Sequence, residues 1–286
     1  MSLARERLRR VLQRPQCTVA ANIFDPLSAR IAHLLDYEVC FLSGSVGKAA
    51  NLGVPDIILG NLSDLVDHCR RITRMADVSL MIDGEDGFGQ AVNVLRSIRE
   101  LEAAGVAAIE VEDQIAPTQF NGADPGILST AEQIGKLEAA VAARTDPTTI
   151  IVARTAALAY CPLDDALDRM RAYAQTGVEM VRLVGLRTRQ QLEAVHQAVA
   201  LPLSVLSPPA ELRDDTAFLS AHGVKIFMLG NPAYGVAVKA VYDCLKHLKD
   251  GGALEDLDAQ QASSALLRAV DRTEELKQWQ QRFLRA

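Results

Sequence analysis

The stretch Ser79-Leu80-Met81-Ile82-Asp83-Gly84-Glu85-Asp86-Gly87-Phe88-Gly89 reads as a buried strand that runs directly into acids and glycines. Ser79 to Ile82 is a short apolar run of the kind that lies in a sheet covered on both faces. Asp83, Glu85 and Asp86 cannot be buried at tolerable cost without a cation, hydrogen bonds or water. The interleaved glycines let the chain turn sharply and come close to a ligand. A hard cation such as Mg²⁺ takes oxygen ligands of this type. This stretch therefore reads as the metal end of an active site.

Seven more short runs share its character: Thr18–Ile23, Val39–Ser43, Ala107–Glu112, Thr149–Thr155, Met180–Val184, Pro202–Leu206 and Lys225–Leu229. Most are continuous apolar runs, as parallel strands between two layers require. Amphipathic stretches separate them. Val92, Leu95, Ile98 and Leu101 mark one helix face, and Leu163, Leu167, Met170 and Ala174 another. Ser129-x-x-Glu132 is a capping box that opens a helix running to about Arg144. Three helices end in Gly-Val and enter a strand, at Gly105, Gly177 and Gly223. Eight such units in 286 residues predict a (β/α)₈ TIM barrel. A doubly wound open sheet is the alternative, but no Gly-x-Gly-x-x-Gly follows the first strand.

The chain divides at Lys249-Asp250-Gly251-Gly252. Residues 1–248 form the barrel domain. Residues 249–286 form a C-terminal helical arm, with Leu257 to Ala286 read as helix and Leu266, Leu267, Val270, Trp279 and Leu284 as its apolar positions. The arm packs on its own barrel or on a neighbouring subunit.

Composition excludes several classes. A formal net charge of -6 disfavours nucleic acid or an anionic membrane as partner. No apolar run reaches the roughly 20 residues of a membrane span. Cys17, Cys40, Cys69, Cys161 and Cys244 are odd in number and scattered, which fits reduced thiols in a cytoplasm rather than a disulfide framework. No His or Cys ends a predicted strand, which disfavours a His base or a Cys nucleophile.

Barrel active sites lie at the C-terminal strand ends. There the chain places Ser43-Gly44-Ser45, then Asp83 and Glu85, then Glu110-Val111-Glu112-Asp113, then Arg154-Thr155, and finally Gly230-Asn231; Asp56 follows the second strand. Carboxylates around a partly hydrated ion suit Mg²⁺, and Arg154 offers a two-pronged donor to a substrate carboxylate. Glu110 reads as half of a buried ion pair. Asp86 and Asp113 read as capping or solvated residues. Such a site suits chemistry in which a metal chelates a keto acid and takes up developing negative charge.

These motifs, in order from about Val19 to Leu248, resemble the isocitrate lyase/phosphoenolpyruvate mutase superfamily. They are Phe24-Asp25-Pro26-Leu27-Ser28-Ala29-Arg30, Ser43-Gly44-Ser45 with Pro55-Asp56, Asp83-Gly84-Glu85-Asp86-Gly87-Phe88-Gly89, Val111-Glu112-Asp113-Gln114 and Ala153-Arg154-Thr155. The resemblance implies Mg²⁺ (or Mn²⁺) at Asp83, with Asp56, Glu85 and Glu112 partly through water. It implies an α-keto or enol carboxylate bound by Ser45, the neighbouring backbone and Arg154, with Asp56, Glu112 and Arg154 as catalytic positions. It also implies a last helix exchanged between subunits in a homotetramer, a dimer of dimers.

Within the superfamily the chain is most similar to the oxaloacetate decarboxylase branch. The loop Pro117-Thr118-Gln119-Phe120-Asn121-Gly122 lacks the Cys, Lys and His of the isocitrate-type lyases. The implied activity is a carbon–carbon lyase: decarboxylation of a small α-keto dicarboxylate such as oxaloacetate to pyruvate and CO₂, through a metal-stabilised enolate, with Asn231 at the substrate's far end. Another C–C lyase, a P–C mutase or hydrolase, and a catalytically lapsed metabolite-binding barrel are the alternatives. Glu85 stands where the family has Asp, Ala156 where it has Asp or Asn, and Asn231 where the decarboxylases have His. The loop Ile115–Leu128 reads as a lid.

Overall fold

The computed structural model describes residues 2–56, 59–115 and 126–284. Eight strands run in order: β1 (Thr18–Ile23), β2 (Val39–Leu42), β3 (Ser79–Asp83), β4 (Ala108–Glu112), β5 (Ile150–Thr155), β6 (Met180–Leu183), β7 (Leu203–Leu206) and β8 (Val224–Met228). All neighbours pair in parallel, and β8 pairs back onto β1 to close the barrel. This is the predicted (β/α)₈ barrel, with each strand within about a residue of its expected ends.

Helices α1 (Leu3–Gln13), α2 (Pro26–Leu34), α3 (Gly44–Leu52), α4 (Leu62–Met75), α5 (Ala91–Ala103), α6 (Thr130–Ala143), α7 (Ala157–Tyr160), α8 (Leu163–Ala174), α9 (Arg189–Ala198), α10 (Ala210–Arg213), α11 (Thr216–Ala221) and α12 (Pro232–Lys249) occupy the connections and the two ends. Local chemistry sets their starts. Asp25 accepts from Ser28 N–H ahead of Pro26, and Ser129 and Glu132 cap α6 reciprocally, as the sequence pattern requires.

Two apolar layers lie between strands and helices, and a third fills the lumen. Val39, Phe41, Met81, Ile150, Val152, Met180, Ile226 and Met228 point inward, with Leu8 and Val11 of α1 in the same cluster. Both are fully buried, so α1 is part of the core. Each contributes roughly 1.5–3 kcal/mol of apolar burial.

Past α12 the expected single helix is broken. A 3₁₀ segment (Leu254–Gln260), α13 (Ser264–Val270) and α14 (Thr273–Phe283) follow. The break falls at Asp271-Arg272, where Arg272 has φ +57. Of the five apolar positions expected to pack, only Val270 is buried; Trp279 is 48% exposed. Helix α13 lies against α2, where Arg30 donates to the Ala269 carbonyl at 3.4 Å. No residue of α12 is buried, and Val236, Val241, Tyr242 and Leu245 are all exposed. No helix among the described residues is long and apolar enough to cross a membrane. The expected lid residues Pro117, Asn121, Gly122 and Pro125 lie outside the described residues. The two ends of that loop pair antiparallel, Gln114 with Ile127.

Candidate metal centre and active site

The alternation of strands puts Asp83 above Met81 and Glu112 above Glu110 on the lumen side. Pairing in register sets Asp83 beside Glu110, and Glu112 beside Arg154. Asp83, Glu85 and Glu112 each offer a carboxylate oxygen within 4.8 Å of the others. This is the cluster expected from the sequence, with one difference of backbone: β3 stops at Asp83. Glu85 is reached through a turn, with φ +54, rather than along the strand. Its N–H donates to Asp83 Oδ1 (3.1 Å), and its carbonyl accepts from Glu112 N–H (2.9 Å). The three acids are therefore bound to one another through the backbone.

Arg154 lies across the cluster. It is hydrogen-bonded to Asp83 and ion-paired with Glu112 at 2.9 Å. Both prongs expected to be free for substrate rest on protein carboxylates. The Glu112 contact is close but not aligned as a hydrogen bond, so Glu112 Oε2 is buried without a donor. An orphaned carboxyl oxygen within an all-oxygen donor set fits a hard divalent cation.

Electrostatics separates the acids. Burial works against charge on Asp83, but Arg154 outweighs it and holds this carboxyl below its usual range. Burial dominates at Glu112, where Asp83 and Glu85 add to it and Arg154 only partly opposes; its pKa rises to about 8. Burial and Asp83 push Glu85 up to about 7, against Lys48.

Lys48, on α3, escaped the sequence reading. Its Nζ lies 2.8 Å from Glu85 Oε1 and 2.8 Å from Asp56 Oδ1. Burial favours its neutral form, yet the two carboxylates prevail and raise it to about 12. Asp56 is 57% exposed and reaches the cluster through Lys48. The one available signal was a single charge within Ser45-Val46-Gly47-Lys48-Ala49-Ala50, otherwise small and apolar apart from Ser45.

Ser43 immediately precedes α3, and its hydroxyl lies 3.1 Å from that of Ser45. Gly44 N–H donates to Asp83 Oδ2 at 3.3 Å. A Cβ on Gly44 would overlap Glu85 Oε1, so a larger residue there would displace the Glu85 carboxylate. Across the mouth, Asn231 accepts from Asn22 at 3.2 Å, a β1 partner that the sequence reading also missed.

Below the cluster sits the expected Glu110 ion pair. Its partner is Arg182, wholly buried, 4.3 Å above the Phe41 ring and in contact with Met228 sulfur. Burial raises Glu110 to about 7 despite Arg182. Two expectations need correction. Asp113 is fully buried rather than solvated: it accepts from Thr155 Oγ1 (2.6 Å), Ala156 N–H (3.0 Å) and Tyr173 OH (3.1 Å), tying β4 to β5 beside Arg154. Asp86 is no helix cap; it pairs with Lys136 of α6 at 3.0 Å.

A cavity of about 500 Å³ opens between α3, α4 and α5. It meets the cluster at Ser43, Gly44 and Glu85, while Asp83, Glu112 and Arg154 do not line it. It therefore borders the site from outside the lumen.

This arrangement can be set beside known proteins. A curated oxaloacetate decarboxylase of Rhodopseudomonas palustris (strain BisB18) is 41% identical over 280 residues, covering 98% of this chain and 96% of the relative. A crystal structure of phosphonopyruvate hydrolase complexed with oxalate and Mg²⁺ superposes with a TM-score of 0.86 at 28% identity, covering 100% of both chains. The phosphoenolpyruvate phosphomutase of Streptomyces platensis subsp. rosaceus gives 0.86 at 27% identity, covering 98% of this chain and 99% of that one. The family model for phosphoenolpyruvate phosphomutase matches residues 8–249, and the chain belongs to that family.

Proposed function

We propose that this chain is a Mg²⁺-dependent decarboxylase of a small α-keto dicarboxylate, with oxaloacetate, giving pyruvate and CO₂, as the leading substrate. Family membership and full-length likeness to curated decarboxylases make it a lyase-type enzyme; the metal and the substrate are the proposal. The observation that carries it is the oxygen cluster of Asp83, Glu85 and Glu112, with Arg154 against it.

In this reading Asp83 and Glu112 hold the cation, and Glu85 and Asp56 lie around it. Bound Mg²⁺, or Mn²⁺ in its place, would supply positive charge at the keto oxygen, where electrons collect as the C–C bond breaks. Ser43, Gly44, Ser45 and Arg154 hold the keto-acid end. Asn231, kept in place by Asn22, meets the far end without adding charge. Loss of CO₂ leaves no group that must be protonated as it departs, so a site without His or Cys suffices.

The chain acts as a homo-oligomer, a dimer of dimers whose exposed α12 and C-terminal arm meet a second copy, and it resides in the cytoplasm. The exposed apolar face of α12 supports the oligomer. The test is pyruvate release from oxaloacetate and Mg²⁺ above the metal-only background. No excess, or a D83A protein as active as wild type, overturns the reading. Hydrolysis or rearrangement of a P–C bond is the second reading, favoured by the likeness to phosphonopyruvate hydrolase. Phosphonopyruvate in the same assay separates the two.

A further inference from the structure

We propose that Lys48 is a positioning residue of the metal centre: it holds the Glu85 carboxylate off the inner shell and weakens the site's grip on a divalent cation. The inference rests on the metal reading above and adds a residue that the cluster of acids alone does not contain.

Glu85 is fixed from every side. Its backbone is in the left-handed region, at φ +54, held by hydrogen bonds to Asp83 and Glu112. Its carboxylate has Gly44 beneath it, with no room for a Cβ. The end of its arm is on the Lys48 ammonium at 2.8 Å, and the Lys48 side chain is only 12% exposed. A glutamate has one methylene more than an aspartate, and here that longer arm ends on a lysine. Lys48 is anchored in turn by Asp56 at 2.8 Å.

The consequence is electrostatic. Four carboxylates, Asp56, Asp83, Glu85 and Glu112, face two cations, Arg154 and Lys48, so the ionised cluster carries two net negative charges. Without Lys48 it would carry three. In a largely buried site each unit of charge changes the attraction for a divalent ion substantially. A carboxylate already paired with an ammonium also resists recruitment as a direct ligand. The shell is thus built for an ion that retains water and exchanges readily.

The experiment is Mn²⁺ binding to the full chain, read by the electron spin resonance of free Mn²⁺, with water-proton relaxation to report the waters left on the bound ion. Lys48→Met is expected to bind Mn²⁺ about tenfold tighter and with fewer bound waters; Lys48→Arg is expected to match wild type. Glu85→Gln alone should weaken binding by the loss of one charge, and in the Lys48→Met background, where the freed carboxylate can ligate, it should cost more than it does alone, a non-additive cycle. Lys48→Gln replaces Lys48→Met should the latter fail to fold by circular dichroism. Equal or weaker binding without the ammonium, or an additive cycle, overturns the proposal. A wild-type chain that binds Mn²⁺ no better than D83A removes the metal reading itself. Wild-type binding that Lys48→Met, or Lys48→Gln in its place, does not exceed removes only the role of Lys48.

Discussion

The guanidinium of Arg154 lies 2.9 Å from the carboxylate of Glu112, and both side chains are about nine-tenths buried. The contact joins neighbouring strands in register, so it is set by the barrel and not by a loop. Arg154 thus stabilises the acids, and in the proposed function it also holds the substrate carboxylate. Replacing it with glutamine is expected to lower kcat/KM for oxaloacetate by at least about a hundredfold. Mn²⁺ binding should be retained, because the carboxylates lose a competitor. A variant that loses metal binding and turnover together contradicts this division of roles.

In the proposed metal site, Glu112 makes cation binding depend on pH. Burial raises its folded value to about 8, above the ordinary carboxyl value of 4.5. The folded chain therefore favours the protonated acid. Its contribution to stability is full below the ordinary value and is lost as pH rises through about 8. A divalent ion needs the ionised form, so affinity should climb from about pH 6 to about pH 8 and then level off. Calorimetric titrations with Mn²⁺ across this range check it. The metal-free melting temperature should fall over the same window, and saturating Mg²⁺ should flatten that fall.

Arg182 and Glu110 form a lumen pair with no exposure on either side. Arg182→Met leaves a buried carboxylate unpaired and is expected to cost about 3–5 kcal/mol. The double variant Arg182→Met/Glu110→Leu should recover most of that loss, since an apolar pair of similar volume is often neutral or better. Urea unfolding midpoints of the three proteins decide it. A double variant as unstable as the single one would show that the pair does more than neutralise itself.

Gly84 ties the turn after β3 to β4. Its N–H donates to the Glu110 carbonyl at 3.0 Å, and a Cβ there would overlap the same backbone oxygen. Backbone cannot move aside as a flexible side chain can. Gly84→Ala is therefore expected to destabilise by about 1–3 kcal/mol and to separate Asp83 from Glu112, weakening Mn²⁺ binding. Thermal unfolding and Mn²⁺ titration are the two measurements, and wild-type values in both would refute the packing account.

Helix α12 presents Val236, Val241, Tyr242 and Leu245 to solvent. If a second copy covers this face, Val241→Asp with Leu245→Asp should reduce the molar mass seen by light scattering to that of a smaller species. An unchanged mass would place any oligomer contact elsewhere.

The barrel and the identity of its acids are written in the order of residues along the chain. Parallel strands covered on both faces must be continuous apolar runs, so all eight were legible, and Asp83 and Glu112 stood out as charges at their ends. Glu110 was legible as an ion-paired residue for the same reason, and Arg182, a charge inside an apolar strand, carried the same signal. Tertiary structure decided which charges meet. Lys48 reaches Glu85 across 37 residues of sequence, from a helix whose facing only the closed barrel sets. Asp113 looked like a solvated loop residue, but Thr155 and Tyr173 converge on it from β5 and α8 and supply the hydrogen bonds that let it be buried. The arm looked like one amphipathic helix, but its apolar positions find little of this chain to pack on. Local periodicity records which residues leave water; the partner that receives each buried charge lies far along the chain and leaves no periodic trace.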